Sequence, residues 1–289
     1  MNVQYYVGGV YLLMFVVFMP VYARVLYIFV FKKSYRSIRC YQIMIQIGIV
    51  QCIIGTCVAT AGVTSFLGYD PLNLAEVTGK LMASCLRIEN TLTCLLALDR
   101  INIIFNLNLP SLLIIASTIF SWAFGICYFI TLFTSCCGMV FDLNLSSAKY
   151  DYSLPYTATL QKIGYIYSFT ISSITFLMYL AMVAYILRKQ LKTRTSTLKL
   201  QQKWIFAQAL IRFCSDVTVS LFYHLGPNFL PRTMGLAVGV VIGYTFNNLV
   251  LPPLLYVFLS RTLRREIFRC KPSETNPMLR HMVNSQIEH

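Results

Sequence analysis

Seven apolar segments, each long enough to cross a lipid bilayer, are the feature of this sequence that most constrains its fold. A helix advances about 1.5 Å per residue, so roughly 20 apolar residues are needed to cross about 30 Å of hydrocarbon with every backbone amide hydrogen-bonded inside the segment. The segments, named spans one to seven, are residues 7–31, 41–63, 79–105, 110–134, 158–187, 204–226 and 233–259. They predict an all-α membrane protein folded as a seven-transmembrane helix bundle.

The composition excludes a soluble domain of this length. Of the 289 residues, 57% are hydrophobic and only 12% are charged, which is more apolar surface than a soluble core would bury. The connections between the spans are short, so we expect one membrane domain over residues 1–259 and a short tail over 260–289. Span one lacks the basic start and the cleavage site of a signal peptide, and it is therefore interpreted as a membrane span.

The distribution of lysine and arginine predicts the orientation of the bundle, because short loops rich in these residues stay in the cytoplasm. Most of the 24 basic residues follow span one, follow span five or lie in the tail, whereas the opposite loops carry only Lys80, Lys149 and Arg232. The amino terminus is thus predicted outside and the carboxyl terminus inside. The net charge of +14 then lies along cytoplasmic rims beside anionic lipid, and it does not indicate nucleic-acid binding.

The connection between spans four and five, residues 135–157, is the one loop long enough to carry structure of its own. Its Asn144-Leu145-Ser146 triplet is the only N-x-S/T sequon in the chain, so Asn144 is a predicted glycosylation site on the outside. Cys136 and Cys137 lie in the same loop, but no other cysteine clearly lies outside to pair with them, and a disulfide stays an open question.

Charged residues inside the apolar spans are candidates for function, because a charge within hydrocarbon is costly. Four lie well away from the span ends: Arg87, Glu89, Arg212 and Asp216. Arg212 and Asp216 are four positions apart on one helix face and could neutralise each other. Glu89 could be protonated, or it could pair with Arg212 across the bundle, and Arg87 points towards a different neighbour. The four residues therefore form either a structural polar core or part of a ligand pocket.

Span three ends on an adjacent acid and base, Asp99 and Arg100, within LALDRI at residues 96–101. This element resembles the acid-arginine pair that ends the third span of rhodopsin-like G-protein-coupled receptors. The resemblance implies that Asp99 holds Arg100 at the membrane rim in the resting state, and that helix movement releases Arg100 towards a heterotrimeric G protein.

Span seven contains Pro252-Pro253-Leu254-Leu255-Tyr256, which resembles the N-P-x-x-Y element of the same receptors. Pro253 and Tyr256 are in register with that element, and the resemblance implies a role for both in activation. Residues 258–270, FLSRTLRREIFRC, predict a short amphipathic helix on the membrane surface, similar to the eighth helix of such receptors. Its Cys270 is placed for S-palmitoylation.

Two further stretches are similar to nematode serpentine chemoreceptors of class T. Residues 40–44, CYQIM, resemble the start of their second span, and Gly79 followed twenty residues later by LALDR resembles their third. The resemblance implies a chemosensory receptor in the plasma membrane, with the cilium of a sensory neuron as one setting. Its ligand would be an extracellular small molecule that enters at the outer ends of spans three, five, six and seven. Gln51 departs from the pattern of rhodopsin-like receptors, which usually carry a carboxylate at this position of span two.

Other classes of protein fit the sequence less well. A seven-helix transporter or ligand-gated channel is the alternative, although the two halves of the chain show no internal symmetry. No catalytic motif and no cysteine-histidine set with metal-ligand spacing is present, so neither an enzyme nor a metal site is expected. No cofactor is expected either, since span seven has no lysine for a retinal Schiff base.

Overall fold

The computed structural model describes residues 3–193, 210–219, 221–222, 234–259, 264 and 267, and over this part of the chain the fold is a helical bundle. Spans one to five are the helices Val3–Phe31, Arg39–Leu67, Leu74–Phe105, Ser111–Thr131 and Thr157–Thr193. Span six is helical at 210–219 and 221–222. Span seven consists of Met234–Thr245, a π-helical turn at Phe246–Val250, and Leu251–Leu259. The predicted all-α class is confirmed.

The helices have the length and apolarity that a bilayer requires. Six of them meet both criteria, namely spans one to five and span seven, while span six is described only in part. Large apolar side chains such as Leu13, Ile119 and Leu177 are exposed on the outer surface of the bundle. Such exposed surface is costly in water and favourable against lipid, which agrees with a multi-pass membrane protein.

Span three lies at the centre of the bundle. Inside its most apolar stretch 61% of the residues are buried, compared with 22% for spans one and four. The largest hydrophobic cluster joins spans one, two and three through residues such as Val25, Val50 and Leu92. Side chains on span three can therefore contact several other spans. Residues that link the movements of different spans are expected on this helix.

Small residues let the spans approach closely. A Cβ atom at Gly125 of span four would lie 2.2 Å from Cγ1 of Ile88, and one at Gly8 of span one would lie 2.8 Å from the carbonyl oxygen of Gly62. Ser121 of span four also donates a 3.1 Å hydrogen bond to the Ile88 carbonyl. Without such small side chains, packing between these helices would be lost, as is general for helices in membranes.

The loop between spans four and five folds into a two-stranded antiparallel hairpin, with β1 at Met139–Asp142 and β2 at Ser147–Tyr150. The hairpin packs on the start of span three, where a Cβ atom at Gly79 would meet Ala148. We name this the hairpin end of the bundle and the opposite end, where span three finishes, the Arg100 end. Lys149 donates a 2.7 Å hydrogen bond to Asp142 across the strands, and this bond holds the pKa of the Asp142 carboxyl below its usual range.

Span seven is irregular close to its prolines. Proline lacks a backbone N–H, so Pro252 and Pro253 cannot complete the helical bonding of the preceding turn, and the chain forms a π-helical turn at Phe246–Val250. The turn brings Asn247 and Asn248 into the bundle, where both are fully buried. The interruption of span seven near its prolines thus takes the form of this π-helical turn.

Candidate functional site

Glu89 and Arg212 meet across the bundle. The guanidinium of Arg212 on span six donates to the carboxylate of Glu89 on span three, and both side chains are largely buried. Asp216, one turn along span six, accepts a hydrogen bond from the amide of Asn247 on span seven. Each carboxylate therefore has a partner on another span, so Arg212 and Asp216 are not a self-contained pair on one helix.

Gln51 of span two joins the same cluster from the other side. Its side-chain nitrogen donates to Glu89 over 2.5 Å, and its oxygen accepts from the hydroxyl of Tyr22 on span one. Gln51 is fully buried, and only 1% of the surface of Tyr22 is exposed. We use the name polar network for Tyr22, Gln51, Glu89, Arg212, Asp216 and Asn247. It links spans one, two, three, six and seven through direct side-chain contacts.

A cavity of about 180 Å³ lies between the polar network and the hairpin. Spans two, three, five, six and seven line its sides, and residues of both strands close it at the hairpin end. Glu89 and Asp216 both contribute to its lining, and each is also a member of the polar network. A molecule in this cavity would therefore contact side chains that hold the spans together.

Arg87 lies in the cavity wall, towards span four and the hairpin. It donates a 2.8 Å hydrogen bond to the carbonyl of Ala83 and contacts the hydroxyls of Tyr150 and Tyr128 at 3.3 and 3.5 Å. Its guanidinium carbon also lies 4.7 Å from the centre of the Tyr128 ring. Arg87 thus points towards a different neighbour from Glu89, as predicted from their positions on span three.

Asp99 and Arg100 are not bonded to each other, contrary to the expectation that Asp99 holds Arg100. Asp99 is 1% exposed and accepts a 2.6 Å hydrogen bond from Nε of Arg39, at the start of span two. Arg100 donates to the thiol of Cys40. Neighbouring residues on a helix project about 100° apart, so two adjacent side chains do not face each other and each finds a partner on span two instead.

The remaining predicted residues are described to different extents. Pro253 is buried in span seven, and Tyr256 lies within the helix Leu251–Leu259, although its side chain is outside the described part of the chain. Asn144 is exposed in the turn of the hairpin, a position that an oligosaccharide could occupy. Cys136 and Cys137 are free thiols. Cys270 and most of the amphipathic helix at 258–270 lie outside the described residues.

Sequence reasoning did not identify Gln51, Asn247, Arg39 or the hairpin as parts of these sites. An uncharged amide is far cheaper to bury than a charge, so Gln51 and Asn247 do not stand out in an apolar segment. Arg39 follows span one in a basic loop, so the sequence indicates for it only a role in setting the orientation. One signal was available, because Gln51 stands where rhodopsin-like receptors usually carry a carboxylate. In the described part of the chain, no group of three histidine, cysteine, aspartate or glutamate side chains could hold a metal ion.

Comparison with known proteins agrees with this architecture. The family model described as serpentine type 7TM GPCR chemoreceptor Srt matches residues 1–276. The crystal structure of squid rhodopsin superimposes with a TM-score of 0.76 at 14% sequence identity, covering 98% of this chain and 90% of that chain. A search of curated protein sequences finds no match. At this identity the rhodopsin likeness shows the fold alone, whereas the family model spans nearly the whole sequence. The chain belongs to the Srt family of serpentine seven-transmembrane G-protein-coupled chemoreceptors.

Proposed function

We propose that this receptor binds an extracellular small molecule in the cavity and, in response, activates a heterotrimeric G protein at the Arg100 end. The observation that carries the proposal is the double role of Glu89 and Asp216, which line the cavity and also belong to the polar network. A ligand that changes the hydrogen bonding of either carboxylate changes the relative free energies of different packings of the spans. Binding and helix movement are thereby linked through the same side chains.

The contacts at the Arg100 end support a coupling role for Arg100. Its partner, the Cys40 thiol, is a weak acceptor, and its Nε is buried with no hydrogen-bond partner among the described residues. Arg39 occupies the Asp99 carboxylate, so Asp99 does not hold the guanidinium of Arg100. A carbonyl or carboxylate of a G protein would give Arg100 a stronger hydrogen bond than it has in this conformation.

Span seven supplies a segment suited to rearrangement. A π-helical turn and two prolines interrupt its regular backbone hydrogen bonding, and such turns are frequent at functional sites. Asn247 ties this segment to Asp216 in the cavity wall. In the proposed function, ligand binding shifts this segment together with Pro253 and Tyr256.

The proposed setting follows from the family and from the distribution of charge. The family and the fold are those of receptors and not of enzymes. We place the hairpin end outside the cell and the Arg100 end, with its basic loops and the carboxyl terminus, in the cytoplasm. The membrane would be the plasma membrane of a sensory neuron or its cilium, and the ligand a small environmental chemical.

A screen in cultured cells tests the proposal. The chain is expressed with a promiscuous G protein, and odorants and small metabolites are applied while second-messenger output is recorded. We expect at least one compound to evoke a response that needs the receptor and disappears in cells without heterotrimeric G proteins. A ligand-evoked current or flux that persists in such cells would instead support the transporter or channel alternative.

The site of action is tested with Glu89→Gln on any active compound. Loss of the carboxylate charge should shift the potency of that compound, because Glu89 lines the cavity and links it to spans two and six. Receptor density at the cell surface is measured in parallel with an amino-terminal tag. Unchanged surface density together with unchanged potency would remove Glu89 from both the ligand pocket and the activation mechanism.

A further inference from the structure

The orientation of the Arg87 guanidinium is fixed by contacts from three parts of the fold. The carbonyl of Ala83 on its own helix accepts from one terminal nitrogen at 2.8 Å. The hydroxyl of Tyr150 on β2 and that of Tyr128 on span four lie 3.3 and 3.5 Å from the other. These two hydroxyls are 2.9 Å apart and support each other. Arg87 is thus a preorganised cation in the cavity wall, and little side-chain entropy remains to be lost when it binds a ligand.

Span five leaves room for this cation only because residue 164 is glycine. A Cβ atom at Gly164 would lie 2.9 Å from the second terminal nitrogen of Arg87 and 2.9 Å from the hydroxyl of Tyr128. Any larger side chain would displace the guanidinium or the tyrosine ring. A substitution of Gly164 would therefore displace the guanidinium of Arg87 while the positive charge stays in the protein.

The rest of the cavity wall suggests how a ligand would be oriented. Asp216 contributes a carboxylate from span six, whereas Met82, Leu86 and Val241 contribute apolar surface. Glu89 adds a second carboxylate from span three, on a different face of the helix from Arg87. An anionic group would be repelled by Asp216 and Glu89 and attracted by Arg87, so these charges would give an acidic ligand one preferred orientation. The volume of about 180 Å³ is near that of an apolar cavity of about 150 Å³ that holds benzene, so the ligand is small.

We propose that the cavity selects small organic acids, whose carboxylate is bound by Arg87 with help from the hydroxyl of Tyr150. The planar fork of a guanidinium matches a carboxylate in geometry and in charge. The body of the ligand packs against the apolar wall formed by Met82, Leu86 and Val241. This inference rests on the proposed function for its biological meaning, but the binding step is measurable without any G protein.

Matched acids and amides test the inference by direct binding to the purified receptor. The probes are benzoate, phenylacetate, butyrate and hexanoate, each compared with its primary amide, which has the same shape without the charge. We expect at least one acid to bind about tenfold or more tightly than its amide, because hydrogen bonds between charged groups are about twice as strong as neutral ones. Amides that bind as well as their acids, or no binding by any acid, would overturn the inference.

Variants assign any preference for the acid to Arg87. Arg87→Gln should bring the ratio of acid to amide affinity close to one, whereas Arg87→Lys keeps the charge and should lower acid affinity while retaining the preference. Gly164→Ala, which displaces the guanidinium, should weaken acid binding more than amide binding. Gly239→Ala is the matched control, since a Cβ atom there meets nothing within 4 Å. A preference for the acid that survives in both Arg87→Gln and Gly164→Ala contradicts the assignment.

The outcomes separate this inference from the proposed function. Acids that bind through Arg87 but evoke no G-protein response would support the ligand class and count against coupling. A different class of compound that activates a G protein, while no acid binds, would support coupling and overturn the ligand class.

Discussion

Glu89 accepts hydrogen bonds from two other spans at once, and this explains how a carboxylate is tolerated at the centre of the bundle. Arg212 supplies the opposite charge and Gln51 supplies an amide donor. A buried charge without such partners would cost several kcal/mol. This cost is comparable to the whole free energy of unfolding of a typical domain. The sequence predicted the three charged members of the polar network, Glu89, Arg212 and Asp216, because charges within apolar spans are conspicuous. It did not predict Gln51 or Asn247, since an amide carries no comparable signal.

The ion pair between Glu89 and Arg212 gives a prediction on stability. Glu89→Gln leaves the Arg212 charge buried and should lower the free energy of unfolding by about 3–5 kcal/mol. The double variant Glu89→Leu with Arg212→Met removes both charges and should recover most of that loss. Thermal unfolding in detergent can be followed with a thiol-reactive dye, because Cys40, Cys57 and Cys85 are buried in the folded protein. Additive losses in the double variant would show that the pair is not coupled.

The contact between Arg39 and Asp99 gives a second prediction at this scale. Arg39→Ala leaves one buried carboxylate without its partner and should destabilise the receptor by about 1–3 kcal/mol. Arg39→Lys keeps a cation within reach of Asp99 and should cost less. Both variants are compared with the wild type in the same dye assay. An equal midpoint for wild type and Arg39→Ala would mean that this contact contributes nothing to stability.

The spanning helices are the elements that sequence predicts best. Their predicted bounds lie within a few residues of the described ones for most spans, because length and apolarity are set directly by the thickness of the bilayer. The hairpin was expected only as a structured loop, since strands of four residues are too short to show a reliable alternating pattern. The π-helical turn in span seven was also not predicted, because Pro252 and Pro253 indicate an interruption of the helix but not the form that it takes.

Helix packing around Gly125 gives a prediction at the scale of elements. Gly125→Ala would bring a Cβ atom within 2.2 Å of Ile88, so spans three and four must move apart and the receptor should lose about 1–3 kcal/mol. Gly239→Ala is the control, because its Cβ atom enters open space and should raise stability by about 0.5–1 kcal/mol through helix propensity. Unfolding midpoints that shift in the same direction for both variants would argue against this close packing.

In the molecule as a whole, the cavity lies towards the hairpin end of span three and Arg100 lies near the opposite end, with Glu89 of the polar network between them on the same helix. This arrangement was only partly accessible from sequence. The two ends were inferred from LALDRI and from the intramembrane charges, whereas the cavity depends on how five spans and the hairpin meet. The partners of Asp99 and Arg100 could not be predicted from the sequence, because they lie on span two, about sixty residues earlier in the chain.

The orientation of the bundle is a prediction that tags and glycosylation can test. We expect an amino-terminal tag to be accessible on intact cells and a carboxyl-terminal tag to be accessible only after permeabilisation. Asn144→Gln should remove a mass shift that is sensitive to glycosidase, since Asn144 is exposed in the hairpin turn. Both tags accessible on the same side of the membrane would rule out seven spans with this orientation.

In the proposed function Arg100 couples the bundle to a G protein, and nucleotide exchange on the G protein measures this coupling. Membranes with equal surface densities of wild type, Arg100→Ala and Arg36→Ala are incubated with a heterotrimeric G protein and an agonist identified by the screen. Arg36 is exposed near the same end and serves as the control. We predict that agonist-driven exchange falls to the level of receptor-free membranes in Arg100→Ala and is retained in Arg36→Ala. Undiminished exchange in Arg100→Ala would contradict a coupling role for Arg100.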